Sequence, residues 1–270
     1  MKAIGNKKIY FVGGGLFVML IAIASFINGN RGKIHDLEKI VQLGKLRVVS
    51  ENSSTGFYVE GDSIYGFQYE ILKIFADTLG VELDISMKDD LKDCISKLNK
   101  GQYDIIAKFV PISTEWNEFV SFSEPLLVSR QMLVQRIPKE EKTALITQQY
   151  QLANDTVFIP RHSPHKMRLE HLSDEIADTI YIVELENLNP EKLAALVSEG
   201  KIRNTICHEQ LSRKFMRQYS NLDASVPVSL PQSYGWMVNN ESEELLEKLN
   251  EFLSAFIGSR EYWNLYKKYY

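Results

Sequence analysis

Three short stretches carry side chains whose types and spacing could hold a small ligand. "FVPISTEW" at residues 109–116 offers aromatic rings and a hydroxyl, and "ICHEQ" at residues 206–210 offers an imidazole and a carboxylate. The third stretch, "PRHSPHK" at residues 160–166, surrounds a Ser-Pro helix start with arginine, lysine and two histidines. Such a cationic helix start can hold an anion. The alternative is an ordinary capped helix whose charges are solvated.

Catalytic and metal-binding chemistry finds little support in these residues. His162, His165 and His171 form a loose cluster, but no cysteine or carboxylate completes a usual zinc spacing. The sequence contains no G-x-S-x-G motif and no nucleotide-binding loop after a strand. Cys94 and Cys207 match no metal spacing, and two unpaired core thiols are favoured over a disulfide. We therefore expect no enzyme activity, no metal and no cofactor.

The composition is that of a globular protein. The chain has 270 residues, of which 44% are hydrophobic and 24% charged, enough for one large domain or two ordinary ones. Its net charge is -4 at pH 7, whereas a nucleic-acid-binding surface requires a basic patch. We therefore expect no nucleic-acid partner.

The first 30 residues differ from the rest of the chain. Lys2, Lys7 and Lys8 precede an uncharged apolar run at residues 9–27, which is long enough to cross a bilayer core. Ala22 and Ala24 form an A-x-A-like pattern, so cleavage after Ala24 is the competing interpretation. Residues 1–30 are predicted to be a signal peptide or an uncleaved signal-anchor helix. Either interpretation implies export of the remaining chain, and the anchor also implies a membrane contact.

Behind this segment, the hydrophobic periodicity predicts alternating strands and helices. The pattern reads strand, helix, strand, helix, strand twice, first over residues 45–110 and again over residues 156–208. This order is typical of α/β units with parallel strands. Between and after the two units the sequence predicts a strand at 130–136, a strand at 234–239 and a long helix from 242 to 256. Residues 52–66 contain three glycines and are predicted to form turns.

Several motifs occur together in the order and spacing of a known family. They are Gly66-Phe67 before a helix with Glu70, Gly101-x-Tyr103-Asp104 entering a strand, and Phe122-Ser123-x-Pro125. With these motifs, residues 36–270 resemble the periplasmic solute-binding proteins of family 3, the polar-amino-acid type. Within that family the chain resembles the solute-binding-like module of membrane-bound lytic transglycosylase F. That enzyme carries its catalytic glutamate in a separate lysozyme-like domain, which would begin where this chain ends.

The resemblance implies an α/β, two-lobed periplasmic-binding-protein-like fold of type II, with two crossing strands and a preceding N-terminal hydrophobic helix. Lobe one is predicted at residues 34–129 plus 226–270, and lobe two at residues 130–225. The ligand would lie in the cleft between the lobes. The implied location is the bacterial periplasm, anchored in the inner membrane by residues 9–27 or free after signal cleavage.

The resemblance also shows what has changed in the cleft. Family members hold the carboxylate of an amino acid with an arginine, but this position is Trp116. The family's Gly-x-Thr-x-Thr positions before the arginine match Phe109, Pro111 and Ser113, of which only Ser113 has a hydroxyl. The residue expected to bind the ligand ammonium is His208, or Glu209 if the register differs by one. The absence of both usual anchors therefore argues against a free α-amino acid as the ligand. The aromatic side chains could instead line an apolar or sugar-stacking cleft, although core packing is the competing interpretation.

These considerations give a set of candidate ligand-binding residues: Asn52, Tyr58, Tyr65, Phe67, Phe109, Ser113, Trp116, His162, Ser163, His208 and Glu209. The favoured hypothesis is an extracytoplasmic module that captures or senses a small-molecule ligand, with a peptidoglycan fragment as one candidate. A second hypothesis is a degenerate binding fold that contacts a protein partner in the cell envelope. A third is a component of a lytic transglycosylase system.

Overall fold

The computed structural model describes residues 36–88, 90–138 and 144–270. The predicted hydrophobic helix at residues 9–27 lies outside these ranges. Within them, no helix has the length and apolar character needed to cross a membrane.

Lobe one is built on a mixed sheet and a separate hairpin. The strands are β1 (Lys45–Ser50), β2 (Tyr58–Glu60), β3 (Ser63–Tyr65), β4 (Glu82–Met87), β5 (Ile105–Pro111), β6 (Ser121–Phe122), β7 (Leu127–Ser129) and β13 (Gln232–Val238). In the sheet they run in the order β4-β1-β5-β13-β6, with β7 paired to β13. Strand β1 is parallel to β4 and β5, and β13 is antiparallel to β5. The hairpin joins β2 to β3. The helices are α1 (Leu37–Leu43), α2 (Phe67–Leu79), α3 (Leu91–Leu98), α7 (Glu243–Phe256) and α8 (Arg260–Tyr269), together with a 3-10 helix at Thr114–Trp116.

Lobe two repeats this plan. Its strands are β8 (Gln131–Arg136), β9 (Thr156–Pro160), β10 (Tyr181–Leu185), β11 (Asn204–His208) and β12 (Leu222–Asp223). They run in the sheet order β10-β9-β11-β8-β12. Strand β9 is parallel to β10 and β11, while β8 is antiparallel to β11. Its helices are α4 (His165–Glu175), α5 (Pro190–Glu199) and α6 (Glu209–Gln218), together with a 3-10 helix at Gln149–Leu152. The chain enters this sheet at Arg130, between β7 and β8, and leaves it between β12 and β13.

The two repeats predicted from hydrophobic periodicity are present, but two local predictions differ from the structure. The glycine-rich turn region contains the β2–β3 hairpin, in which Tyr58 pairs with Tyr65. Their rings stack across the two strands, with centroids 5.7 Å apart, and this cross-strand aromatic pair stabilises the hairpin. The sequence predicts a helix start at Ser163-Pro164, whereas α4 begins at His165. The hydroxyl of Ser163 accepts a hydrogen bond from the His165 amide (3.3 Å) at this start.

The core of lobe one explains the aromatic C-terminal region. Phe67 at the start of α2 is fully buried, and its ring contacts the rings of three tyrosines from the last helix and of the residue that follows it: Tyr262, Tyr266, Tyr269 and Tyr270. Gly66 just before it has φ 144°, and a Cβ there would lie 2.0 Å from the carbonyl oxygen of Gly56. Only glycine suits this backbone conformation and close approach. The Gly66-Phe67 motif therefore docks α8 onto α2.

Both cysteines are buried and unpaired, as the sequence predicted: Cys94 lies in lobe one and Cys207 in lobe two. Burial raises the pKa of both thiols, so the reactive thiolate is disfavoured.

Candidate functional site

A cavity of about 210 Å³ lies between the two lobes, and we call it the inner chamber. Lobe one contributes the loop after β1 and the end of β5, and lobe two contributes the loops after β9 and β10 and the end of β11. These are the carboxyl ends of parallel strands, the edge at which open α/β sheets bind ligands. The repeated strand–helix order thus brings two such edges face to face.

The floor of the inner chamber is formed by Phe109 of β5, His208 of β11 and Tyr234 of β13. The ring centroids of Phe109 and His208 are 4.8 Å apart, and those of Phe109 and Tyr234 are 6.1 Å apart. His208 is 5% exposed and Tyr234 is 2% exposed. Neither the Nδ1 atom of His208 nor the hydroxyl of Tyr234 has a hydrogen-bond partner among the described residues, although Gln210 lies beside the His208 ring and Gln131 beside the Tyr234 hydroxyl. Two buried polar atoms therefore remain available for a ligand.

The floor carries no net charge at neutral pH. Burial, together with the charge of the neighbouring His165, lowers the pKa of His208 to about 3. Burial likewise lowers the pKa of His165 to about 4, and its Nδ1 atom hydrogen-bonds to Gln131 Oε1 at 2.8 Å. The Tyr234 phenol stays protonated because burial raises its pKa.

Charged side chains stand around this neutral floor and make contacts within the protein. Lys108 of β5 donates to the carbonyl oxygen of Lys88, and Arg161 pairs with Glu186. Lys166 pairs with Glu184 at 2.7 Å. The structure therefore favours the interpretation of the "PRHSPHK" stretch as an ordinary helix start with paired charges over that of an anion site.

A second cavity of about 620 Å³, the outer chamber, adjoins the first. The two chambers share Leu91 and residues 161–164 as lining residues. Trp116 lines the outer chamber and also packs against the core of lobe one. Its Nε1 atom has no hydrogen-bond partner within the described residues. Together the chambers form a cleft. Its small inner part has the neutral floor and the charged side chains of Glu51, Lys108, Arg161 and Glu186 in its walls, and its larger outer part contains Trp116 and further charged side chains.

Hydrogen bonds across the cleft hold the two lobes together. The amide and hydroxyl of Ser54 in lobe one both donate to Glu191 Oε1 in lobe two, at 2.9 and 2.6 Å. Lys214 of α6 adds a hydrogen bond to the Ser54 hydroxyl at 3.2 Å. On the outer chamber side, Asp90 Oδ2 lies 3.7 Å from His162 Nε2. The described structure is therefore a closed one.

The structure brings only part of the predicted set of site residues together. Asn52, Phe109, His162, Ser163 and His208 line the inner chamber. Trp116 lines the outer chamber, which His162 and Ser163 also reach.

The remaining predicted residues lie elsewhere. Tyr58 and Tyr65 stack on the hairpin, and Phe67 lies in the core of lobe one. Ser113 caps the short 3-10 helix by accepting from the amide of Glu115, and Glu209 forms an ion pair with Arg213 on α6. Their side chains satisfy local structure rather than facing either chamber.

Sequence reasoning missed Tyr234, Lys108 and the loop after β10. Tyr234 comes from a strand more than 120 positions beyond β5, so no local pattern links it to Phe109. The loop contains Asn187 at φ 58°, and His162 in the facing loop has φ 59°, both in the left-handed region. The sequence marked the stretch at residues 160–166 as a candidate wall, but no sequence signal marked the loop after β10. Within the described ranges, no cluster of three or more histidine, cysteine or acidic side chains is placed to hold a metal ion.

Asp90 makes stability in acid testable. Burial acts to raise its pKa, but hydrogen bonds from the amides of Asp93 and Lys92 and the charge of His162 outweigh burial and lower it. A lowered folded-state pKa means that the stabilisation is present above the unfolded value of about 4 and is lost as pH falls through the folded value. We expect Asp90→Asn, which can still cap α3, to reduce the drop in melting temperature between pH 6 and pH 3. Asp174→Asn, at an exposed position of α4, is the control, and equal drops in Asp90→Asn and the parent would refute this role.

Comparison with known proteins places this geometry among solute-binding proteins. The sequence model described as bacterial extracellular solute-binding proteins, family 3, matches residues 46–270. The membrane-bound lytic murein transglycosylase F of Desulfosudis oleivorans is 27% identical over 256 residues, covering 94% of this chain and 55% of the relative. That of Stutzerimonas stutzeri is 28% identical over 268 residues, covering 97% and 52%. The chain thus spans about half the length of these curated relatives.

Solved structures share the fold at low sequence identity. An ancestral arginine-binding protein bound to arginine has a TM-score of 0.70 and 21% identity, covering 84% of this chain and 98% of its own. An amino acid ABC transporter substrate-binding protein from Streptococcus pneumoniae, bound to L-arginine, has a TM-score of 0.70 and 21% identity, covering 86% and 96%. This likeness concerns the α/β two-lobed architecture.

Proposed function

Since the chain belongs to the bacterial extracellular solute-binding proteins of family 3, we propose that it captures a small solute between its lobes, outside the cytoplasm. The observation that carries this proposal is the inner chamber. It is enclosed by strand ends from both lobes, and its floor holds two buried polar atoms without partners. Buried polar groups are normally hydrogen-bonded, so this arrangement suits a ligand that supplies the missing partners.

The ligand proposed here is not a free α-amino acid. Trp116 stands where the family resemblance places an arginine for the carboxylate, and its side chain packs into lobe one and the outer chamber. His208 stands where that resemblance places an acidic side chain, and its neutral ring offers no countercharge to an ammonium. Both ends of a zwitterion would therefore lose hydration without gaining an opposite charge at these positions.

The two chambers also favour a ligand that extends beyond one small head group. The inner chamber of about 210 Å³ is below the usual size of ligand pockets, about 300 to 1,000 Å³, but the adjoining outer chamber adds about 620 Å³. An elongated ligand could place one group on the neutral floor and the rest against Trp116. A peptidoglycan fragment, with sugar rings and short peptides, has these dimensions and chemistry.

The curated relatives support a proposal about the cell-envelope system in which this chain acts. They are described as membrane-bound lytic murein transglycosylases, and this chain aligns with about half of their length. We propose that this chain acts as a non-catalytic ligand-sensing part of such an envelope system. Its partner would then be an envelope protein with the cleaving activity.

Ligand capture is tested by adding solutes and measuring stability and shape. We expect a muropeptide or another peptidoglycan fragment to raise the melting temperature, because a ligand that binds only the folded state stabilises it. Small-angle X-ray scattering should show the radius of gyration unchanged or smaller with the solute. A panel of sugars, peptides, muropeptides and amino acids in which no solute shifts the melting temperature would overturn the proposal.

A further inference from the structure

The inner chamber imposes a chemical requirement on the part of the ligand that reaches its floor. The floor is the phenyl ring of Phe109, whose centroid lies 4.8 Å from that of the His208 ring in lobe two and 6.1 Å from that of the Tyr234 ring in lobe one. The polar atoms left without partners are one imidazole nitrogen and one phenol hydroxyl. Each of these groups can donate or accept a hydrogen bond while remaining uncharged.

A charged ligand group is poorly matched to this floor. His208 and His165 are both neutral because burial lowers their pKa values to about 3 and about 4, and the Tyr234 phenol is neutral as well. An ammonium or carboxylate placed here would lose its hydration and meet no opposite charge from these rings. An uncharged group that is both donor and acceptor meets no such penalty.

An amide satisfies all three features of the floor. Its N–H and C=O lie on different edges of one plane, so one can pair with His208 and the other with Tyr234. Its flat face can lie against the Phe109 ring. We propose that the inner chamber selects an uncharged amide group of the ligand, bound between His208 Nδ1 and the Tyr234 hydroxyl over the Phe109 ring.

This inference rests on the proposed function, since it specifies the ligand of the same cleft. The shared chemistry could come from an acetamido sugar or from a blocked peptide. The two sources can be separated with matched pairs of compounds, in which one member carries the amide and the other a charge. The pairs are N-acetylglucosamine with glucosamine, and N-acetylalanine amide with alanine.

Isothermal titration calorimetry on the whole chain measures the four affinities. In at least one pair we expect the amide-bearing member to bind at least about tenfold more tightly than its charged counterpart, and the responding pair identifies the source. Tighter or equal binding of the charged members would overturn the amide assignment and leave solute capture standing. If no member of either pair bound while another solute raised the melting temperature, the amide assignment alone would be overturned. If none of the solutes bound, the proposed function would be overturned as well.

Two variants test the named atoms. Tyr234→Phe removes only the hydroxyl, and His208→Phe replaces the imidazole with an apolar ring of similar shape. We expect each to weaken binding of the amide-bearing compound about tenfold, while Tyr150→Phe, at an exposed tyrosine of lobe two, leaves it unchanged. Tyr234→Phe should fold normally, because the buried hydroxyl that it deletes has no hydrogen-bond partner among the described residues. Unchanged affinity in the folded Tyr234→Phe variant would refute the role of that hydroxyl and with it the proposal.

Discussion

Replacing Asp104 with alanine is expected to lower the free energy of unfolding of lobe one by about 3 to 5 kcal/mol, the range for breaking a buried ion pair. The Asp104 side chain is 1% exposed and receives hydrogen bonds from the backbone amide of Arg47 (2.7 Å), from its Nε (3.1 Å) and from a terminal nitrogen (2.5 Å). Arg47 also donates to the carbonyl oxygen of Gly101 at 2.6 Å. The pair therefore joins β1 to the turn that leads into β5. Its loss removes the carboxylate that faces the half-buried guanidinium and the backbone amide of Arg47.

Urea unfolding followed by tryptophan fluorescence measures this effect directly. The chain has three tryptophans, and Trp116, Trp236 and Trp263 all lie in lobe one, so the signal reports on that lobe. Asp77→Ala is the matched control, because Asp77 pairs with Lys73 on an exposed helix face and should change stability by less than about 1 kcal/mol. Similar losses in Asp104→Ala and Asp77→Ala would show that the buried pair contributes no more than a surface pair.

The second large effect concerns closure of the lobes. Glu191 Oε1 accepts two hydrogen bonds from Ser54, and hydrogen bonds to charged groups contribute about 1.5 to 3 kcal/mol each. Because these bonds join lobe two to lobe one, they exist only in the closed arrangement. We expect Glu191→Ala to reduce the ratio of closed to open molecules at least about tenfold in the absence of ligand. Ligand affinity should fall with it, since the closed state is the one that encloses the inner chamber.

Small-angle X-ray scattering of the ligand-free protein provides the measurement. The radius of gyration should increase in Glu191→Ala and stay unchanged in Glu199→Ala. Glu199 lies at the other end of α5 and pairs with Lys201 inside lobe two, so its removal does not affect the cleft. Identical scattering from Glu191→Ala and the parent would mean that the Ser54 contact does not control closure.

The motifs that revealed the fold in the sequence have structural roles. Asp104 of the Gly-x-Tyr-Asp motif clamps two strands, and Gly66-Phe67 docks the last helix on α2. These roles depend on residue types that few alternatives can replace, namely a carboxylate for an arginine fork and a glycine for φ 144°. The sequence could therefore predict the two-lobed fold from a handful of positions.

The candidate site was predicted less completely. Phe109 and His208 were recognised because they occupy positions that the family resemblance marks as ligand contacts, and both line the inner chamber. Tyr65 and Phe67 were included because they are aromatic, but the hairpin and the C-terminal helix cover them. Tyr234 was not considered, although it completes the floor. Aromatic side chains serve the core and the cleft equally well, so residue type alone does not separate these roles.

By itself, the sequence determined the repeated α/β plan, the two buried thiols and the family. Hydrophobic periodicity and glycine positions are local properties, and local contacts follow from residues a few positions apart. Only the tertiary structure decided which side chains meet in the cleft. The floor joins residues 109, 208 and 234, and the Ser54–Glu191 contact spans 137 positions. The neutrality of His208 likewise arises from burial, which depends on how the lobes close over it.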